Sequence, residues 1–223
     1  YENYRETMKV LSGDSLIERL QGIDVFITEA DLVDVAALDS LPGLRVVASC
    51  RSDAVNVDVD ACSAFGVPVL NAPGRNAHAV ADLTVAFALM LLRKLQQAGA
   101  FSREPGARAG DMGRMGRAFK TLVGQELGAC SVGLVGFGAV GREVARRLKG
   151  FGTRVLAHDP YLAQEAAASE DVEALALDEL LAVSDIVSLH LPVTGDTRGL
   201  IGVHALAAMK EGAFLINTAR GAL

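Results

Sequence analysis

Three glycines, Gly136, Gly138 and Gly141, followed by an acid at Asp159, have types and spacing suited to gripping a dinucleotide. Gly136 permits a tight turn out of an apolar strand. Gly138 lets a pyrophosphate approach bare backbone, and Gly141 lets the next helix lie close to the strand. A helix over 139–149 then aims free N–H groups and the positive end of its dipole at the phosphates. Asp159, ending a strand over 154–158, can accept hydrogen bonds from both adenine-ribose hydroxyls and would repel a 2′-phosphate. That chemistry is NAD recognition in preference to NADP. The plain alternative is a glycine-rich turn with a solvated aspartate, which leaves the strand–turn–helix–strand–acid order to coincidence.

These residues need a sheet to hold them. Strands are expected over 23–28, 45–49 and 67–70, with helices over 32–38 and 57–65 and a turn at Pro42-Gly43. A loop, Asn71-Ala-Pro-Gly-Arg-Asn76, leads to a long helix over 77–97. That helix is apolar on nearly every face from Val80 to Leu92, so it is expected to be buried on all sides, between domains or across a dimer interface. The stretch 102–116 is rich in Gly and Arg without periodicity and reads as an interdomain connection. Alternation resumes with strand 131–136, helix 139–149 and strand 154–158. A weak strand near 172–175, helix 177–182, strand 185–189, helix 203–209 and strand 213–217 follow. Strands alternating with helices predict parallel α/β sheets.

Composition narrows the classes. At 223 residues the chain holds one large domain or two small ones, and 51% hydrophobic residues suffice for a core. A net charge of −6 argues against a general nucleic-acid or anionic-membrane surface. The basic cluster 103–120 reads as solvated loop in preference to a binding patch. Cys50, Cys62 and Cys130 lack metal-ligand spacing, which predicts no metal and reduced core thiols in a cytoplasmic protein. The longest apolar run, 77–92, is interrupted by His78 and Asp82 and is too short to span a bilayer.

The sequence resembles the D-2-hydroxyacid dehydrogenase family, close to its phosphoglycerate dehydrogenase branch. The resemblance rests on Val57–Asp60, Gly66-Val-Pro-Val-Leu-Asn-Ala-Pro-Gly-Arg-Asn-Ala77, Ala79-Val-Ala-Asp-Leu-Thr84 and Gly133–Gly141. It continues through Asp159-Pro-Tyr161, Ser188-Leu-His-Leu-Pro192, Asp196-Thr-Arg198 and Ile216-Asn-Thr-Ala-Arg-Gly221. It implies two Rossmann-like domains, a flavodoxin-like substrate domain over 1–101 and a doubly wound NAD-binding domain over 102–223. The substrate would be a small 2-hydroxy or 2-keto acid. Arg220 matches the family's catalytic arginine, whose planar fork holds a keto-acid carboxylate while polarising the carbonyl.

The backbone of Arg51, Ser52 and Asp53 matches the loop that binds the substrate carboxylate. Ser52 and Asp53 stand where that pattern usually has glycines, and an acid beside an anion site costs affinity unless it turns away. Asn76 matches a cleft-lining position. Thr84, Leu191, Thr218 and Ala219 match positions lining the cofactor pocket, and Ala139 and Val140 supply N–H groups to the pyrophosphate. A homodimer through the 77–97 region is expected.

The family's acid–base pair, a His held by a Glu, lies C-terminal to the arginine. His78, His158, His190 and His204 do not match it, although His190 ends a strand at the cofactor face. The expectation is a chain incomplete at both ends, lacking a first strand before Gly13, the last sheet strands and the returning helix. Two readings stay open at this point: an NAD-dependent dehydrogenase, and a non-catalytic NAD-sensing or scaffold protein on the same fold.

Overall fold

The computed structural model describes residues 9–105 and 110–223. The chain forms two compact units, Tyr1–Arg75 and Asn76–Leu223. They part at 75/76, not at the expected 101/102 join, because the apolar helix beginning at Ala77 packs within the second unit. The stretch before Gly13, where a first strand is expected to be lacking, falls largely on residues outside those described.

The first unit runs α1 (Asp14–Arg19), β1 (Val25–Thr28), α2 (Val35–Ser40), β2 (Val46–Ser49), α3 (Val59–Ala64) and β3 (Val69–Leu70). The strands form a parallel sheet in the order β1-β2-β3. Asp34 and Asp58 start α2 and α3, their carboxylates accepting from the N–H groups of Ala37 and Ala61 at 2.9 Å each. Leu16, Leu38, Val47 and Cys62 lie at the centre of the core. On the other face of the sheet, Val25, Ile27 and Leu70 are exposed. Helix α1 lies outside the expected elements, because its six residues carry too little periodicity.

The second unit opens with α4 (Ala77–Leu92) and α5 (Leu95–Ser102), then α6 (Met112–Thr121). Two expectations are corrected here. The helix expected over 77–97 breaks at Lys94, which is left-handed at φ 49°. The expected connection over 102–116 turns helical from Met112 onward, with 106–109 outside the described residues. Asp111 caps α6 by accepting from the Arg114 N–H at 2.9 Å, and Arg114 stacks 4.3 Å from the Phe101 ring centre. These local bonds build a helix where composition alone suggests coil.

Next come β4 (Ser131–Val135), α7 (Ala139–Lys149), β5 (Arg154–His158), α8 (Gln164–Ser169) and β6 (Glu173–Ala174). Then follow α9 (Leu177–Val183), β7 (Ile186–Leu189), α10 (Val203–Ala208) and β8 (Phe214–Asn217). All five strands are parallel, in the order β6-β5-β4-β7-β8. The order reverses between β4 and β7, and such switch points are where doubly wound folds bind ligands.

Helix α4 buries Ala77, Ala81, Thr84, Val85, Ala88 and Leu92, a stripe at helical spacing. Leu83, Phe87 and Leu91 on its other side are exposed. Within this unit α4 is therefore buried on one face only, through alanines with Thr84, Val85 and Leu92, while Leu83, Phe87 and Leu91 face outward.

A charge network ties α4 to α7. Arg147 pairs with Asp82 at 2.6 Å and with Glu143, which also meets His78 at 3.1 Å and Arg146 at 2.8 Å. Hydrogen bonds from Arg146 and Arg147 hold the Glu143 carboxyl down at about 2. A depressed folded pKa contributes stability above the ordinary carboxylate value, and that contribution disappears as pH falls toward 2. Urea midpoints followed from pH 6 to pH 2.5 are expected to fall less for Glu143→Gln than for the wild type. Parallel profiles would exclude this linkage.

Candidate functional site

The site grows from the carboxyl end of β4. Every side chain of β4 is buried. The strand leads into Gly136, whose φ is +96°, a conformation that favours glycine. A Cβ there would stand 2.6 Å from the His190 carbonyl oxygen, beyond the end of β7. The turn is anchored on both sides, by Gly136 N–H to His158 O at 2.8 Å and His190 N–H to Val135 O at 2.7 Å. A Cβ on Gly141 would meet the Gly136 carbonyl oxygen at 2.4 Å, so the first turn of α7 lies directly on the glycine turn.

Gly138 is different. It is exposed, with φ −79°, and a Cβ there would meet nothing within 4 Å. It has no conformational need to be glycine, and the open space suits a group lying against its backbone. No side chain caps α7, so its first N–H groups remain available to an anion.

Asp159 is half-buried at the end of β5. Its carboxylate accepts from the Phe137 N–H at 2.8 Å and the Tyr161 N–H at 2.9 Å. An ionised carboxylate has about four acceptor positions, so two stay free for ribose hydroxyls. Gly138, Ala139 and Asp159 line one shallow cavity of about 270 Å³ with Phe137, Arg142, Tyr161 and Leu162. The residues present therefore fit the adenosine and pyrophosphate end of NAD. Val140 lies one residue further along α7, partly buried. Sequence reasoning missed Arg142, which lies 4.9 Å from the Phe137 ring centre and pairs with Glu170. Its position directly after Gly141 was the available signal.

Arg220 follows β8 in a loop braced by one residue. The Asn217 side chain donates to the Arg220 carbonyl at 2.8 Å and accepts from the Ala219 N–H at 3.0 Å. Arg220 itself is exposed, its guanidinium bonded to the Ala219 carbonyl at 2.9 Å. Asn217 was not singled out by sequence reasoning. Thr84 and Thr218, far apart in sequence, meet at 3.0 Å. Because Thr84 donates to the Val80 carbonyl at 2.9 Å, it must accept from Thr218. Thr84, Leu191, Thr218 and Ala219 do not line the cavity beside Asp159.

Arg51, Ser52 and Asp53 lie in the first unit after β2. Arg51 donates to the Glu29 carbonyl at 2.7 Å, and the Asn71 amide holds the Ser52 carbonyl at 2.5 Å. Asp53 is exposed, as is Asn76 at the start of α4. Burial raises the thiol pKa of Cys62 and Cys130, leaving both protonated and inert. Burial also pushes the His190 imidazole down to about 4.

Residues 85–223 match a protein family described as D-isomer specific 2-hydroxyacid dehydrogenase, NAD binding domain. The chain belongs to the D-isomer specific 2-hydroxyacid dehydrogenase family. Its second unit is the family's NAD-binding domain, and the cofactor is NAD. The chain is 38% identical over 211 residues to D-3-phosphoglycerate dehydrogenase of Mycobacterium bovis, covering 94% of this chain and 38% of that protein. It is 41% identical over 192 residues to (S)-sulfolactate dehydrogenase of Chromohalobacter salexigens, covering 86% and 59%. Among solved structures, D-lactate dehydrogenase from Aquifex aeolicus with NAD and lactic acid superposes with a TM-score of 0.77 at 26% identity, covering 98% and 66%. The chain thus spans well under two thirds of these curated relatives. Among the described residues, no helix is long and apolar enough to cross a membrane.

Proposed function

We propose that this chain is part of an NAD-dependent oxidoreductase interconverting a D-2-hydroxy acid and its 2-keto acid. The observation that carries the reading is the joining of Gly138, the start of α7 and Asp159 in one cavity at the end of β4. Bound NAD supplies a hydride acceptor, or its reduced form a donor, for C2 of the substrate. Ala139 and Val140 offer N–H groups to the pyrophosphate, Asp159 takes the adenine ribose, and Thr84, Leu191, Thr218 and Ala219 border the remainder. Arg220 holds the substrate carboxylate and polarises the C2 carbonyl. The first unit is read as the substrate domain, whose Arg51, Ser52 and Asp53 offer backbone N–H groups to an anion, and Asn76, which opens the second unit, has an exposed amide able to contact substrate. Three unbridged cysteines support a cytoplasmic setting. The exposed row Leu83, Phe87 and Leu91 supports a homodimer through the 77–97 region. A phosphoglycerate-like substrate is the first to try, because the mycobacterial relative carries that name.

The test is turnover of the full-length protein with NAD and a panel of D-2-hydroxy acids, 3-phosphoglycerate included. Reduction of NAD by at least one acid is expected. Asp159→Ala is expected to raise the NAD Kd by roughly ten- to a hundredfold, since hydrogen bonds to a charged group contribute about 1.5–3 kcal/mol. It should also narrow the gap between NAD and NADP. NAD binding without turnover on any acid would leave a cofactor-binding protein only, and an unchanged preference in the variant would remove Asp159 from the ribose site.

A further inference from the structure

Among the described residues, three buried side-chain atoms lack a hydrogen-bond partner: Ser188 Oγ and both ring nitrogens of His190. They come from one strand and its immediate extension, two positions apart. Buried polar groups are almost always satisfied, and each one left bare costs about 1–3 kcal/mol, so three orphans in one place need a physical account.

Their surroundings narrow it. Along β7, Ile186 packs with residues of α4 and α7, whereas Val187 and Leu189 pack with α9 and α10. Strand alternation puts Ser188 on the Ile186 face, and His190 continues that register. On the neighbouring strand Ile216 shares this face, and Thr218, two positions on, hydrogen-bonds to Thr84 of α4. The carboxyl ends of β7 and β8 thus carry a polar layer under α4 rather than an apolar one. His158, by contrast, has its own partner, the Leu175 carbonyl at 3.0 Å. A neutral imidazole offers one donor and one acceptor, and a serine hydroxyl offers both. Water, with two donors and two acceptors, is the smallest group that completes such a set, and sites with several polar partners are where internal waters reside.

We propose that Ser188 and His190 bind ordered internal water beneath α4, and that His190 is thereby a positioning residue for the glycine turn. The link to the turn is direct. The carbonyl oxygen of His190 is the atom a Cβ on Gly136 would strike, at 2.6 Å, and the His190 N–H holds Val135 at 2.7 Å. A ring fixed through water fixes this segment of main chain, on which the pyrophosphate turn rests. The second half of the proposal rests on the reading that the turn holds the pyrophosphate of NAD.

A crystal structure of the full-length protein at high resolution tests the first half. Density for water within about 3.2 Å of Ser188 Oγ and a His190 ring nitrogen is expected. A dry gap would overturn it. Two variants test the second half, each followed by thermal unfolding and NAD titration. His190→Leu removes the polar ring, and His190→Gln keeps a donor and an acceptor. With water present, His190→Leu should lower Tm and weaken NAD by roughly tenfold, while His190→Gln should stay within about threefold of wild type. A higher Tm in His190→Leu would mean that the ring had been bare, because removing an unsatisfied group stabilises. Equal NAD affinity in all three proteins would overturn the positioning role. If the wild type itself bound no NAD, the cofactor reading and the positioning role would fall together, while the density would still decide the water site.

Discussion

If the proposed activity holds, replacing Arg220 with alanine in the full-length protein is expected to lower kcat/KM by roughly two to four orders of magnitude, with the fold intact. Two charge-assisted hydrogen bonds to a carboxylate and a developing oxyanion contribute about 3–6 kcal/mol together. The structural side is separable. Arg220 is exposed, and among the described residues its side chain bonds only the neighbouring Ala219 carbonyl. The loop is held by the Asn217 amide instead. Unfolding stability should therefore stay within about 0.5 kcal/mol of wild type, as for most surface changes. Arg220→Lys keeps the charge without the planar fork and should recover only part of the loss. Steady-state kinetics with matched melting curves check this. Undiminished kcat/KM in the alanine variant would remove Arg220 from the substrate site.

The glycine turn separates folding from binding within three residues. Gly136→Ala puts a methyl group 2.6 Å from the His190 carbonyl oxygen and 2.7 Å from its carbon, at a φ of +96°. Both obstacles are main chain, which cannot swing aside as a side chain end can. The cost expected is about 2–4 kcal/mol, or a Tm lower by roughly 5–15 °C for a unit of this size. Gly138→Ala meets no atom within 4 Å and has an ordinary φ of −79°. Its melting temperature should be nearly unchanged, yet if Gly138 faces the pyrophosphate, as proposed, its methyl group would intrude there and NAD affinity should fall sharply. Calorimetry and NAD titration of the two variants give the answer. A stable Gly136→Ala protein would contradict the packing at the switch point, and normal NAD binding by Gly138→Ala would contradict the pyrophosphate position.

Much of this arrangement was legible in the residues. The alternation of short apolar strands with helices announced parallel sheets, because period-two and period-3.6 patterns are local properties. The Gly136, Gly138, Gly141 and Asp159 set points to a dinucleotide site, since each residue type answers a local steric or electrostatic need, and the family match over 85–223 is to an NAD-binding domain. Helix α6 was not legible. Its two glycines lower its helix propensity, and it is held by the Asp111 cap and by the stacking of Arg114 on Phe101 from another helix. The end of α4 was misjudged for a related reason, because no residue type compels the left-handed turn at Lys94.

The sequence by itself determined the fold class, the family and the order of the cofactor-binding elements, all carried by residues near one another along the chain. Only the tertiary structure decided that α4 packs within the NAD-binding unit, that Thr218 meets Thr84, and that His190 comes to rest against Gly136. Those contacts join positions far apart in the chain. They form because burying apolar surface brings the strands into register, and no local pattern encodes which polar groups are closed in when that happens.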